Sequence, residues 1–255
     1  ETYITVALLN EDGSIDLGFD DDGFAQLPWQ TVAGIHDLKN GNFIVTGNFP
    51  GNGQRLARFN VDGSLDSSFG SSGVVSTSIS KSSVQTSLVQ TDGKIVLTGT
   101  TYDYPRGTFA VRFNVDGAVD TSFGVNGVAN TYLSDSSEYA QMEAVVQQAD
   151  GKVVMGGYIQ WSDSMSMDQF SDVILIRYNT DGSLDTSFVG DAALADGTVR
   201  TSIGNYTSVK SMALQINGKI VVTGTQQTVD YSYNIITVRF NSDGTLDTDT
   251  FGPAN

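Results

Sequence analysis

Two short motifs alternate along the chain, and this repetition constrains the fold more than any other feature of the sequence. The first motif, Asn-x-Asp-Gly-x-x-Asp, occurs five times, at residues 10–16, 60–66, 114–120, 179–185 and 241–247. The second motif is Asn-Gly or Asp-Gly followed by an apolar run that ends in glycine, and it occurs at residues 40–47, 92–99, 150–157 and 217–224. Two motifs repeated in constant order indicate a repeat architecture, in which each copy builds one supersecondary unit.

Both motifs predict tight β-hairpin turns. Asp-Gly and Asn-Gly pairs supply the positive φ angles that two-residue primed turns need. Short β-branched runs such as Ile95 to Thr98 follow them, and many of the expected strands are apolar on both faces. Strands of that kind are covered by neighbouring sheets. No window keeps a capped 3.6-residue apolar period, so we expect almost no helix.

One repeat therefore contains four short strands, which we term A to D. In the third unit we expect strand A near 85–91, B at 94–100, C at 108–114 and D at 118–131. Successive copies are spaced by about 50 to 65 residues, which matches a four-stranded propeller blade. A solenoid coil is shorter, at about 20 to 30 residues. The sequence thus predicts an all-β fold, a β-propeller of about five four-stranded antiparallel blades.

The motifs resemble those of the delta-60 repeat family of bacterial β-propeller proteins. The resemblance lies in Arg58 to Gly70 (Arg-Phe-Asn-x-Asp-Gly-Ser-Leu-Asp-x-Ser-Phe-Gly) and in Asp92 to Gly99 (Asp-Gly-Lys-Ile-Val-Leu-Thr-Gly). It implies blades in a large secreted or surface-displayed bacterial protein, and it implies no particular activity. Two units depart from the pattern: Leu8-Leu9 replaces Arg-aromatic in the first, and Val189 replaces a glycine in the fourth.

The strand count leaves the closure of the ring open. We treat residues 1–255 as a single propeller domain, with a C-D half-unit at 1–30, units at about 31–83, 84–138 and 139–205, and a terminal unit at 206–255. A closed five-bladed ring fits this count, and so does an incomplete propeller, alone or completed by oligomerisation. Unpaired sheet edges favour association, so a homo-oligomer is one expectation. Because the chain begins at Glu1 without methionine, we interpret it as a processed or excised piece.

The composition excludes several classes of partner. Thirteen lysines and arginines against 29 aspartates and glutamates give a net charge of −16. We therefore expect neither nucleic acid nor an anionic membrane surface as a partner. There is no cysteine, which excludes disulfides and thiolate metal sites. No apolar run approaches the length of about 18 residues that spans a membrane, so we expect no membrane insertion.

The repeated polar side chains have both structural and functional interpretations. The Asn-x-Asp-Gly-x-x-Asp turns offer three side-chain oxygens, so Ca²⁺ is one candidate ligand, although a full calcium loop needs about six or more oxygens. We favour turns in which these oxygens bond their own backbone, and we expect no other cofactor. One arginine recurs eight residues before the last Asp of the motif, and we expect it to form an ion pair across the hairpin. These arginines are Arg58, Arg112, Arg177 and Arg239.

Catalytic chemistry has little support in the sequence. His36 is the only histidine, and it aligns with the apolar Leu88, Val146 and Ala213 of the other units. We interpret it as a packed, hydrogen-bonded residue rather than a member of a triad. A glycosidase needs two carboxylates about 5 or 6.5–9.5 Å apart, which some pair among 29 acids meets by chance. We therefore predict no catalytic residue and no metal site.

The variable connections carry aromatic side chains, and these are our candidate ligand-binding residues. Function usually lies on loops held by a rigid scaffold, and B–C and D–A loops emerge on one face of a propeller. Aromatic rings among Asp, Asn and Ser suit carbohydrate stacking or a protein hot spot, unless they fold back over the blade edges. The candidates are Tyr102, Tyr104, Tyr158, Trp161, Tyr231 and Tyr233 in B–C connections, and Trp29 in a D–A connection.

These observations favour a non-catalytic recognition or adhesion module of a secreted or cell-surface bacterial protein. It would bind a surface glycan or a protein through the aromatic B–C loops. Two alternatives stay open. One is a polysaccharide-active enzyme, a hydrolase or lyase that uses acidic residues on the same face, and the other is a structural spacer in a fibre or large adhesin.

Overall fold

A computed structural model describes residues 3–49, 53–77, 79, 81–103, 105–132, 138–162, 169–190, 197–204, 206–228 and 230–249. Within these residues the chain forms β-strands and one short 3-10 turn at Phe19–Asp21. The prediction of an all-β chain with almost no helix is therefore confirmed. No helix in the described ranges is long and apolar enough to cross a membrane.

The strands form five antiparallel sheets in chain order, which we number as blades 1 to 5. Blade 1 contains β1 (Ile4–Ala7) and β2 (Phe24–Leu27). Blade 2 contains β3 (Thr31–Asp37), β4 (Phe43–Phe49), β5 (Gly53–Phe59) and β6 (Val74–Thr77). Blade 3 contains β7 (Ser82–Val89), β8 (Ile95–Thr101), β9 (Gly107–Phe113) and β10 (Val128–Tyr132). Blade 4 contains β11 (Tyr139–Gln147), β12 (Val153–Ser162), β13 (Gln169–Tyr178) and β14 (Thr198–Thr201). Blade 5 contains β15 (Thr207–Leu214), β16 (Ile220–Gln227) and β17 (Tyr233–Phe240).

The predicted D strand of the third unit was too long. Strands A, B and C lie within a few residues of β7, β8 and β9, but β10 begins at Val128 rather than at 118. Residues before it form turns, because the Asp120 carboxylate accepts a hydrogen bond from the backbone N–H of Ser122 at 3.1 Å. Gly124 and Gly127 then take positive φ angles of 58° and 91°, which interrupt an extended strand.

The hydrophobic core consists of four clusters, each shared by two successive blades. Phe19, Leu27 and Trp29 join blade 1 to Val45 and Phe59 of blade 2. The same arrangement joins blades 2 and 3, blades 3 and 4, and blades 4 and 5. In the part of the chain that the structure describes, no cluster and no strand pairing joins blade 5 to blade 1. Three complete blades are thus flanked by two partial sheets.

Candidate functional site

In blades 2 to 5 the repeated arginine forms an ion pair with the repeated aspartate. In blade 3, Arg112 Nε lies 2.7 Å from Asp120 Oδ2, and both side chains are 7% exposed. The guanidinium also stacks on Phe123, with Cζ 4.5 Å from the ring centroid, and Nη1 donates to the carbonyl of Thr180 in blade 4 at 2.6 Å. Equivalent ion pairs are Arg58–Asp66, Arg177–Asp185 and Arg239–Asp247. The ion pair across the hairpin confirms the sequence prediction, and the contact of Arg112 with the next blade is an additional finding of the structure.

A lysine completes this ion pair in blades 3 to 5. Lys94 Nζ lies 2.8 Å from Asp120 Oδ2, and lysines 152 and 219 make the same contact in their own blades. Burial alone would raise the pKa of Asp120, but hydrogen bonds from Lys94, Ser122 and Arg112 outweigh it and hold this pKa well below its usual range. Blade 2 has Asn42 at the lysine position, and a cavity of about 230 Å³ lies beside it.

The Asn-x-Asp-Gly-x-x-Asp turns use their side-chain oxygens internally. Asp62 Oδ1 accepts hydrogen bonds from the N–H and the hydroxyl of Ser64, at 3.0 and 2.6 Å, and Asn60 Nδ2 donates to the same hydroxyl. These bonds from Ser64 lower the pKa of Asp62. Among the residues that the structure describes, no group of three or more His, Asp or Glu is arranged to hold a metal ion. The oxygens hold the turn, which is the interpretation favoured above.

His36 lies in a polar contact between blades 2 and 3. Its Nε2 is 2.7 Å from Ser87 Oγ, which is also 2.7 Å from Thr46 Oγ1. Ser87 is buried, and burial lowers the pKa of His36. No carboxylate in the described ranges hydrogen-bonds the imidazole ring, which a serine–histidine–acid triad requires. His36 is thus the packed, hydrogen-bonded residue that the sequence indicates.

Two of the predicted ligand-binding residues, Tyr102 and Tyr158, lie in one cluster at the junction of blades 3 and 4. Tyr102 stacks loosely on Tyr139, with ring centroids 6.4 Å apart and planes within 9°. The hydroxyls of Tyr158 and Tyr139 both donate to Gln141 Oε1, at 3.0 and 3.4 Å. Gln141 Nε2 in turn donates to Glu143 Oε1 at 2.5 Å. We call Tyr102, Tyr139, Gln141, Glu143 and Tyr158 the tyrosine cluster.

The tyrosine cluster combines ring faces with polar groups. Tyr102 is 44% exposed, and the other members are half-buried. Burial, together with the neighbouring Tyr102, Tyr158 and Glu143, raises the pKa of Tyr139 to about 12. Burial and Glu143 also raise the pKa of Tyr158. The phenols of Tyr139 and Tyr158 therefore stay protonated at neutral pH, where they can donate or accept hydrogen bonds.

Gln141 and Glu143, which lie beside Tyr139 in the cluster, were not among the sequence-predicted residues. They share one face of β11 because side chains two residues apart in a strand point to the same side. This alternation of side chains along the strand was the sequence signal that could have grouped these residues. It could not show that Tyr102, from the preceding blade, would lie beside this face.

Trp161 lies in a second cluster, within blade 4. Its ring is stacked with Phe170 at 5.7 Å, and Arg200 Cζ lies 4.2 Å from the ring centroid. Arg200 also forms ion pairs with Glu138 at 2.7 Å and with Asp172 at 2.8 Å. The ring of Trp161 is thus already in contact with a cation and with another aromatic ring. This leaves less ring surface for a ligand than the exposed Tyr102 offers.

The remaining candidates are not brought together with these clusters. Tyr231 and Tyr233 of blade 5 are 80% and 67% exposed, and no aromatic pair within the described ranges includes them. Tyr104 lies outside the described residues. Trp29 is only 2% exposed, because it packs in the core between blades 1 and 2. Its side chain is not on the surface, so we exclude it from the candidate site.

Comparison with solved structures finds carbohydrate-active enzymes at low similarity. The mannose phosphorylase MPT-4 of Leishmania mexicana, in complex with phosphate, is 13% identical with a TM-score of 0.46, over 98% of this chain and 80% of that one. An endo-arabinase of Bacteroides thetaiotaomicron is 14% identical with a TM-score of 0.43, over 85% of this chain and 77% of that one. A polysaccharide lyase of family PL25, an ulvan lyase, is 14% identical with a TM-score of 0.41, over 82% and 68%. Similarity of this degree says nothing about the ligand of this chain.

Comparison with protein families is more specific. Among curated proteins, no match was found. A family described as "Domain of unknown function (DUF5122) beta-propeller" matches residues 39–69, 90–123, 148–188 and 215–249, which together make up more than half of the chain. Each match contains one complete second motif and the Asn-x-Asp-Gly-x-x-Asp turn that follows it. The chain therefore belongs to the β-propeller repeat family described as DUF5122.

Proposed function

We propose that this propeller is a non-catalytic module that recognises a neutral glycan through the tyrosine cluster. The observation that carries the proposal is that Tyr102 stacks on Tyr139, whose hydroxyl, like that of Tyr158, donates to the Gln141 amide oxygen. Tyr102 comes from blade 3 and the other residues come from blade 4. The site therefore depends on the packing of two blades rather than on one loop.

The chemistry of the cluster suits a sugar. Aromatic faces pack against the C–H groups of a pyranose, and phenol, amide and carboxylate groups exchange hydrogen bonds with its hydroxyls. Tyr102 presents the most exposed ring, at 44%. The hydrogen-bond chain from Tyr158 through Gln141 to Glu143 fixes the polar groups of the cluster. Fixed polar groups reduce the entropy lost on binding.

The electrostatics favour a neutral ligand over an anionic one. The cluster contains one acidic residue, Glu143, and no lysine, arginine or histidine, and the whole chain carries a net charge of −16. A uronate or sulfated polymer would be repelled by this field, and no cation of the cluster compensates for it. A neutral polysaccharide meets no such cost.

The proposal contains no chemical step. In the tyrosine cluster one carboxylate stands alone, whereas glycoside hydrolysis uses a pair of carboxylates. We also propose that the protein is secreted or displayed on a bacterial surface, because the delta-60 resemblance implies this location. That family name likewise stays a prediction, beside the broader repeat family assigned above.

Binding to polysaccharides tests the proposal. Wild-type protein is titrated calorimetrically with neutral xylan, mannan and arabinan and with polygalacturonate. Tyr102→Ala is the test variant, and Tyr132→Ala is the control, because Tyr132 is 58% exposed on the outer strand β10. We expect a neutral polymer to bind, and Tyr102→Ala to weaken it several-fold to about tenfold, since an aromatic contact contributes about 0.5–1.5 kcal/mol.

The other outcomes separate the alternatives. Release of new reducing or unsaturated ends would favour the enzyme. Failure to bind every polymer would contradict glycan recognition and favour a protein ligand or a structural spacer. Preferential binding of polygalacturonate would leave glycan recognition intact and contradict its neutral specificity.

A further inference from the structure

The first hairpin turn of blade 2 differs from the equivalent turns of blades 3 to 5. In those three blades the glycine N–H of the second motif donates to the backbone carbonyl three residues earlier, in each case at 2.9 Å, and the donors are Gly93, Gly151 and Gly218. Gly41 holds this position in blade 2, and its N–H donates no hydrogen bond to any residue that the structure describes. The backbone nitrogen of Gly41 is therefore open to solvent.

Asp37 accounts for the open turn of blade 2. Its Oδ1 accepts a hydrogen bond from the backbone N–H of Lys39 at 3.0 Å, and Lys39 takes a positive φ of 62°. The strand register places an uncharged residue at the position of Asp37 in each of the other three blades, namely Val89, Gln147 and Leu214. A carboxylate that binds the turn backbone competes with the ordinary hairpin turn, so blade 2 follows a different path before Gly41.

Asn40 precedes this free nitrogen. Its Oδ1 accepts a hydrogen bond from the backbone N–H of Asn42 at 3.1 Å, so the side-chain amide is folded back over the Gly41 peptide unit. The same hydrogen bond polarises the amide carbonyl toward nucleophilic attack. Both Asn40 and Gly41 are exposed, and glycine has no Cβ that would hinder an approach to its nitrogen.

We propose that Asn40 is a modification site, at which the backbone nitrogen of Gly41 displaces the side-chain amide and the asparagine is deamidated. The nitrogen loses its proton and forms a bond to Cγ, while the C–N bond of the amide breaks and its nitrogen leaves as ammonia. Water then opens the cyclic imide at either carbonyl, which gives aspartate or isoaspartate at position 40. One water is consumed and one ammonia is released, with no change of oxidation state.

Asn217 is an internal control in blade 5. It is an exposed asparagine that precedes a glycine, and its Oδ1 accepts a hydrogen bond from the N–H of Lys219 at 3.2 Å. The two sites differ at the attacking nitrogen, because the N–H of Gly218 donates to the carbonyl of Gln215. A hydrogen-bonded N–H is exposed to base only when the turn opens locally. Asn217 should therefore be protected where Asn40 is not.

The two products at position 40 have different structural consequences. Aspartate copies the Asp-Gly pairs that blades 3 and 4 carry at Asp92 and Asp150, and it keeps the oxygen that accepts from Asn42. Isoaspartate adds a methylene group to the main chain and lengthens the turn. Because Asn40 lines the cavity beside Asn42, either product adds a negative charge at that cavity.

Peptide mapping by mass spectrometry, on samples of the folded chain incubated at mildly alkaline pH, tests the proposal. Deamidation raises the mass of a peptide by the difference between an acid and an amide, and fragment ions assign the change to a position. We expect Asn40 to deamidate several-fold to about tenfold faster than Asn217, because Gly218 must first break its hydrogen bond. Methylation by an isoaspartyl methyltransferase identifies the isoaspartate product.

Two comparisons show whether the open turn is the cause. In guanidinium chloride, which unfolds the chain, the rates at Asn40 and Asn217 should converge. Asp37→Gln copies the residue of blade 4 at an exposed position, so the variant should fold, and it should slow deamidation of Asn40 toward the rate of Asn217. Equal rates in the folded chain, a difference that persists in denaturant, or an unchanged rate in folded Asp37→Gln would overturn the proposal.

Discussion

Arg112 and Asp120 lie eight residues apart and form an ion pair in which Nε is 2.7 Å from Oδ2 and each side chain is 7% exposed. The carboxylate also binds Lys94 and Ser122, and the guanidinium reaches the carbonyl of Thr180 in the next blade. One residue pair thus joins a strand, its turn, the preceding hairpin and the neighbouring blade. The repeat of this pair in four units explains why Arg and Asp recur at constant spacing in the sequence.

Arg112→Ala should lower the free energy of unfolding by about 3 kcal/mol, because the buried Asp120 carboxylate loses one of its two cationic partners while it keeps Lys94, and the carbonyl of Thr180 loses its donor. Urea denaturation followed by circular dichroism measures the change. Arg106→Ala is the matched control, since Arg106 is exposed and its loss should change stability by less than about 0.5 kcal/mol. Glycan binding lost at unchanged stability would instead mean that Arg112 binds the ligand.

Acid should destabilise the protein through the same carboxylates. Asp120 and Asp185 have folded-state pKa values well below that of an unfolded aspartate, so the unfolded chain takes up protons first as the pH falls. Their contribution is therefore complete above about pH 5 and decreases through pH 4 toward the lower folded pKa. The urea midpoint of unfolding should fall between about pH 5 and about pH 2.5. The midpoint of the Asp120→Asn variant should fall less steeply over the same range. A stability that rises on acidification contradicts this sign.

The repeat and the turns could be predicted from the sequence because their causes are local. Asp-Gly turns, short apolar strands and the Arg-to-Asp spacing depend on residues within one unit, and the structure confirms the ion pair. The D strand was predicted too early because the Gly124 and Gly127 backbone angles come from a turn whose geometry the apolar pattern around them does not reveal. Local sequence patterns therefore predict which strands form more reliably than they predict the residues at which those strands begin.

Asn42→Lys should stabilise blade 2. Asn42 stands where three other blades have a lysine bound to the aspartate, and Asn42 Nδ2 approaches Asp66 only to 3.3 Å. The adjoining cavity of about 230 Å³ leaves room for the longer side chain. We expect a gain of about 0.5–1 kcal/mol in urea denaturation, the upper range for a partly exposed ion pair. Lower stability in the variant would show that the lysine cannot adopt the geometry of Lys94.

Trp29→Ala should destabilise the protein without changing glycan affinity. Trp29 is 2% exposed between blades 1 and 2, so its removal leaves a cavity and costs about 3–5 kcal/mol. Thermal unfolding measures the loss, and titration with a neutral glycan below the unfolding temperature measures binding. Weaker binding by the folded variant would return Trp29 to the candidate site.

The candidate site was only partly predictable from sequence. Tyr102 and Tyr158 belong to variable connections, which the sequence shows directly. Gln141 and Glu143 lie on the first strand of blade 4 with Tyr139, and the contact of Tyr139 with Tyr102 arises only when two blades pack together. Trp29 lies just after β2, where the sequence indicates a loop. Its burial depends on the packing of blade 2 against blade 1. Contacts between blades are the information that a single repeat does not contain.

The most direct test of glycan binding at the tyrosine cluster is an NMR titration. The tyrosine ring resonances are followed while the neutral glycan that binds in calorimetry is added. We predict that the resonances of Tyr102, Tyr139 and Tyr158 shift together with one dissociation constant, while those of Tyr231 and Tyr233 stay unchanged. A titration in which only Tyr231 and Tyr233 respond, or in which no tyrosine of the cluster shifts, would contradict the account.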